Sequence, residues 1–138
     1  MIIVSGCLIG LNCAYDGKSR ECAQVVDLVE KGLAIPVCPE QLGGLTTPRV
    51  PAERIGNKVI DKNQNDVTLQ FQKGAIEVLN LIKLTECKKI ILKSKSPSCG
   101  YCEIYDGTFT GKLIKGNGIL VDLLLKNDIE VLNENMQE

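Results

Sequence analysis

The sequence predicts an α/β fold: one three-layer domain over residues 1–138, built on a mostly parallel, Rossmann-like sheet with a small β-hairpin insertion. Three observations carry this. Four short apolar runs, at 2–5, 34–38, 89–92 and 129–132, have the length and composition of strands buried on both faces. Segments of helical periodicity lie between them, and alternation of this kind implies a parallel sheet with right-handed crossovers. No low-complexity tract, internal repeat or linker interrupts the 138 residues, which at 15.0 kDa suffice for one core.

Each element has a local reason. Ile2 to Ser5 stops at Gly6-Cys7, as a strand does where it meets a loop. Val25, Val26, Val29 and Leu33 follow helical spacing, with Ser19 available as a cap and Gly32 as the stop. In the second strand Pro36 has no ladder donor, so it belongs near an edge or at the strand's start. From Pro39 to Pro51, three prolines and a Gly-Gly pair predict a long shaped loop. Arg54 to Ile60 reads as a small hairpin turning at Gly56-Asn57. Asp66 is placed to cap a helix whose apolar positions Phe71, Ala75, Val78, Leu79 and Ile82 form the clearest amphipathic pattern in the chain. After the third strand comes a serine-rich loop, 93–100, then a turn at Tyr105 to Phe109, a helix at 118–125 and the fourth strand.

Composition narrows the chemistry. Sixteen basic and seventeen acidic side chains leave a formal charge of −1, which supports neither a nucleic-acid platform nor a polybasic membrane patch. The absence of histidine removes Ser-His-Asp and Cys-His catalysis and histidine-ligated metal sites. Seven cysteines are more than packing needs and fewer than a disulfide scaffold carries. The N-terminus has no basic region ahead of its short apolar run and reads as a strand, so a reducing cytoplasm is the expected setting, with no membrane partner. There, clustered cysteines more often bind metal or react than form bridges.

In an open α/β sheet, ligands bind beyond the carboxyl ends of the strands. Cys7, Cys38 and Cys99 each follow such an end, so three thiols remote in sequence are expected to converge. Soft thiolates without histidine select zinc, copper(I) or iron–sulfur, and three ligands leave one coordination position open. Cys13, six residues after Cys7, is a possible fourth ligand, a redox partner or a buried thiol. Cys22 and Cys87 fit packing roles. Cys99-Gly100-Tyr101-Cys102 is a C-x-x-C, but no helix pattern follows it to lower a thiol pKa.

Among polar candidates, Glu40, two residues past Cys38, is the choice for general base. Ser96, held extended by Pro97, offers a hydroxyl for substrate contact or proton relay, or for a turn. Arg49 offers a fork for an anion or an ordinary ion pair, and Ser98 is a second candidate substrate contact. Asp16 fits a turn.

The segments Cys7 to Gly10, Asn12 to Gly17, Pro36 to Leu45, Ser94 to Gly100 and Tyr105 to Phe109 resemble the DUF523 family, which includes bacterial thiouracil desulfidases. The likeness runs in order over nearly the whole chain, with Ala14 and Thr46 standing where the family often has arginine and proline. The resemblance implies a [4Fe-4S] cluster on Cys7, Cys38 and Cys99 with one iron free for a sulfur ligand. It also implies an acid–base role for Glu40, a helper role for Ser96, and non-redox desulfuration of a small thiolated pyrimidine of the 4-thiouracil or 4-thiouridine class. Thiolated RNA remains a further possible substrate. Two rival readings are a metal-free thiol redox protein and a zinc-stabilised, non-catalytic ligand-binding module.

Overall fold

The computed structural model describes residues 1–136. Four parallel strands, β1 (Ile2–Ser5), β2 (Ala34–Val37), β5 (Lys89–Leu92) and β8 (Glu130–Asn133), form a sheet in the order β2-β1-β5-β8. Pro36 therefore lies on an edge strand, where the missing donor costs no interior ladder bond. The strand order reverses direction at β1: one neighbour is the next strand in sequence and the other comes from the second half of the chain. That reversal opens a crevice beyond the carboxyl ends of β1 and β5.

Side-chain alternation divides the sheet into two buried faces. Ile3, Ile90, Leu92 and Val131 point toward α3 (Thr68–Thr85) and α4 (Ile119–Leu125), meeting Val78, Ile82, Leu120 and Leu124. Val4, Ile91 and Leu132 point the other way, onto Val25 and the partly buried Leu28 and Val29 of α1 (Ala23–Glu30). Helices on both sides give the three layers the sequence predicts. Two antiparallel hairpins stand apart from the sheet: β3 (Ala52–Ile55) with β4 (Lys58–Asp61), and β6 (Glu103–Tyr105) with β7 (Leu113–Lys115). Arg54 Nη1 ties the first hairpin to α4, donating to Asp122 Oδ2 and Asn117 O, each at 2.6 Å. Among the described residues no helix is long and apolar enough to cross a membrane.

Three local expectations need correction. Ser19 does not cap α1; Cys22 occupies the N-cap position without a side-chain hydrogen bond. The helix announced by Asp66 begins at Thr68 with Val67, not Asp66, at the N-cap position, although Asp66 Oδ1 accepts the Thr68 amide at 2.9 Å. The segment read as a loop from Pro39 contains a short helix, α2 (Pro39–Leu42), with proline at the first helical position, where its missing N–H is no loss. This turn crosses α3 at backbone contact: a Cβ on Gly43 would stand 1.9 Å from Gln70 O, and one on Gly74 would stand 1.9 Å from Pro39 O. Only glycine at both positions permits so close a crossing, which sets where Glu40 sits.

Candidate active site

The cysteines predicted from strand ends line one cavity. Cys7 lies in the 3-10 turn after β1, Cys38 is the residue after β2 and the N-cap of α2, and Cys99 lies in the loop after β5. All three, with Cys13, line a cavity of about 460 Å³, well inside the range of small-molecule sites. Every cysteine is a free thiol. Cys102, at the far end of the C-x-x-C, is exposed and does not line this cavity, and strand β6 follows it, so the pair lacks the helix N-terminus of a dithiol redox motif. Cys87 packs in the α3–α4 core and Cys22 against the α1 face, as expected.

The thiols are held by directed contacts. Cys38 Sγ stands 3.7 Å from the Cys13 carbonyl oxygen. Cys99 Sγ receives the Ser5 hydroxyl and lies within reach of the Ser98 hydroxyl, each at 3.5 Å, while Ser5 Oγ accepts the Lys93 amide at 2.9 Å. A hydrogen bond with the Cys13 thiol, then burial, push the Cys38 thiol well up. Burial pushes Cys99 up to about 12, against the Ser98 and Ser5 hydroxyls that pull it down. For Cys13 the contact with Cys38 lowers and the contact with Cys7 and burial raise, with a net rise. As free thiols these groups are protonated at neutral pH, and a metal group must displace those protons to bind.

Beside the thiols is a polar network centred on Glu40. Its Oε1 pairs with Arg49 Nε at 3.0 Å, with the Arg49 side chain 7% and the Glu40 side chain 16% exposed. Arg49 makes further contacts within the protein: Nη1 donates to Thr47 Oγ1 at 2.9 Å and Thr46 O at 3.2 Å, and Nη2 to Cys13 O at 2.8 Å. The guanidinium thus backs the general-base candidate. The other carboxylate oxygen, Oε2, accepts from Ser98 Oγ at 3.0 Å and from Ser96 Oγ at 3.4 Å. The turn reading of Ser96 is met, since its oxygen accepts the Ser98 and Cys99 amides at 3.1 Å. Asp16 is a turn residue, accepting the Lys18 amide and pairing with Arg20 at 2.8 Å.

The donor set fits an iron–sulfur group. It offers soft sulfur from three strand ends with hydroxyl hydrogen bonds directed at one sulfur, a feature that tunes such centres. Among the described residues no three Cys, Asp or Glu side chains converge tightly enough to grip a single metal ion. Cys7, Cys38 and Cys99 share the wall of one cavity.

The cavity wall also contains residues with no sequence-level candidacy: Ser5, Glu53, Tyr105, Lys62 and Lys93. Tyr105 and Phe109 stand in the sequence reading as the two ends of a turn and of a segment that carries the family resemblance, without a role of their own. A glutamate at the second position of a short hairpin strand carries no signal to separate it from a solvent-facing one.

The family model for 2-thiouracil desulfurase matches residues 2–136. The chain belongs to that family. It is similar to YbbK of Bacillus subtilis (strain 168), an uncharacterized protein, with 40% identity over 145 residues spanning 98% of this chain and 96% of the relative. It is also similar to the solved structure of TudS (DUF523), a [4Fe-4S]-dependent thiouracil desulfidase, at 41% identity and a TM-score of 0.93, covering 97% of this chain and 90% of that one. The family expected from the motifs is the one found.

Proposed function

We propose that this chain is a [4Fe-4S]-dependent enzyme that removes sulfur, without net redox change, from a small thiolated pyrimidine of the 4-thiouracil or 4-thiouridine class. The observation that carries the reading is the shared cavity: three strand-end thiols and the buried Arg49–Glu40–Ser98 network face the same space. The family membership and the solved relative support it. Cys7, Cys38 and Cys99 would hold the cluster. A four-iron cluster with three protein ligands supplies Lewis acidity toward a soft thiocarbonyl sulfur at its remaining iron.

The chain's own groups do the proton work. Glu40 Oε2 accepts a proton from the water that attacks the ring carbon, and Arg49 on Oε1 holds the carboxylate in place. The Ser98 and Ser96 hydroxyls, already directed at Oε2, hold the ring's polar edge and relay the proton back as the C–S bond breaks. The water oxygen becomes the ring carbonyl and the sulfur leaves with its electron pair as hydrosulfide, so that the net change is C=S plus water to C=O plus hydrogen sulfide. Arg49 supports this network, and its Nη2 also holds the Cys13 carbonyl.

Anaerobic reconstitution followed by iron and sulfide analysis and an assay of uracil release from 4-thiouracil tests the reading. About four irons with matching sulfide and release of uracil are expected. Glu40→Gln should keep the cluster and lose roughly 10²- to 10⁴-fold in kcat, whereas Cys38→Ser should lose the cluster. A colourless zinc protein, a reversible disulfide in its place, or full activity in Glu40→Gln would falsify it.

A further inference from the structure

Three Tyr and two Phe are the only aromatic side chains in this chain, and Tyr15, Tyr105 and Phe109 among them line the cavity that contains the thiols. Phe109 is set apart by its backbone, at φ 58, in the left-handed region that a residue with a side chain rarely adopts. Such a conformation persists only where its surroundings enforce it. The enforcement comes from another hairpin. Glu53 on β3, 9% exposed, directs Oε1 at two backbone donors of the 106–109 turn, the Gly107 amide at 2.9 Å and the Phe109 amide at 3.0 Å. Gly107, at φ 96, presses against the same strand, where a Cβ would lie 2.4 Å from Ile55 Cγ1. Asp106 closes the turn by accepting the Thr108 amide at 2.9 Å and its hydroxyl at 2.6 Å.

A carboxylate is buried at a cost unless donors satisfy it, and here both donors belong to the segment that carries Phe109. We propose that Phe109 is a stacking face for the planar ring of the substrate and that Glu53 is the positioning residue that holds it there. The inference rests on the desulfuration reading and adds to it what selects the ring. Stacking acts on the bound ring before and during the reaction alike, so it enters KM and not kcat. Removing such a face weakens ring binding on the order of tenfold.

Holoenzyme carrying Phe109→Leu, Phe109→Tyr, Glu53→Gln or Glu53→Leu is compared with the parent in three measurements: KM and kcat on 4-thiouracil, uracil affinity by calorimetry, and iron content. Phe109→Leu should raise KM and the uracil Kd about tenfold with kcat and iron unchanged, and Phe109→Tyr should restore both. Glu53→Gln keeps an oxygen for the two amides and should bind as the parent does, while Glu53→Leu loses binding as Phe109→Leu does. Unchanged KM and Kd in Phe109→Leu, a loss confined to kcat, or Glu53→Gln no better than Glu53→Leu overturns the proposal. If Glu53→Leu does not fold, the two Phe109 variants decide. A parent that binds uracil but releases none from 4-thiouracil sinks the desulfuration reading, while the calorimetry still decides the stacking face.

Discussion

The layer formed by α3 and α4 against the sheet and the loop rim beyond the strand ends are held by different forces. In the layer, Val78, Ile90, Leu120, Val121 and Leu124 have no solvent exposure and meet through non-directional apolar contact. At the rim, Glu40, Arg49, Ser96, Ser98 and Ser5 are each held by hydrogen bonds to identified partners. The layer tolerates loss of volume at a cost in stability alone. The rim depends on angles and charge, so one changed atom there should cost chemistry first.

The largest effect is expected where the rim is also buried. Arg49→Met leaves the Glu40 carboxylate without its countercharge and should lower stability by about 3 kcal/mol or more in urea unfolding. It should also reduce kcat steeply, and Lys at the same position should recover only part of it, because one ammonium cannot replace the forked contacts to Glu40, Thr47 and Cys13. Next comes Leu124→Ala in the layer, with a loss of roughly 2–5 kcal/mol from the cavity it leaves. Iron content and kcat per folded molecule should be unchanged; a large drop in either would erase the division between layer and rim.

The smallest effect is a pH dependence at the rim's floor. Glu134 accepts the Ser94 amide at 2.8 Å, the Ser94 hydroxyl, and Lys93 Nζ at 3.2 Å. Burial raises its pKa, but the Ser94 hydrogen bonds outweigh this and hold the carboxyl below its ordinary value of 4.5. A folded-state value below the unfolded one gives stability that is complete above the ordinary value and disappears as pH falls through the depressed one. Parent minus Glu134→Gln in urea midpoints should therefore be constant near neutrality and shrink as pH falls below about 4.5.

What was readable in the sequence was what depends on near neighbours. The four sheet strands and α3 follow from periodicity, and the edge position of Pro36 follows from its missing donor. The alignment of Cys7, Cys38 and Cys99 on one cavity follows from a rule about strand ends that requires no coordinates. What stayed hidden depends on contact across the chain. Pro39 argued against regular structure when counted with its neighbours, although as a first helical residue it starts α2. The meeting of Gly43 with Gly74 joins positions that carry no local signature of each other, and Glu53 declares its role only once a loop more than fifty residues later lands on it.

The position of β5 between β1 and β8 has a consequence for biogenesis. A nascent chain that has released only β1, β2 and α1 presents the thiols of Cys7 and Cys38 on a half-built ledge, open to solvent and to any scavenging ion. The third wall arrives with Cys99, after the long helix has docked and β5 has slotted alongside β1. Under the proposed ligand set, cofactor insertion would wait until β5 and Cys99 have left the ribosome, and a chain truncated before them would lack the complete site.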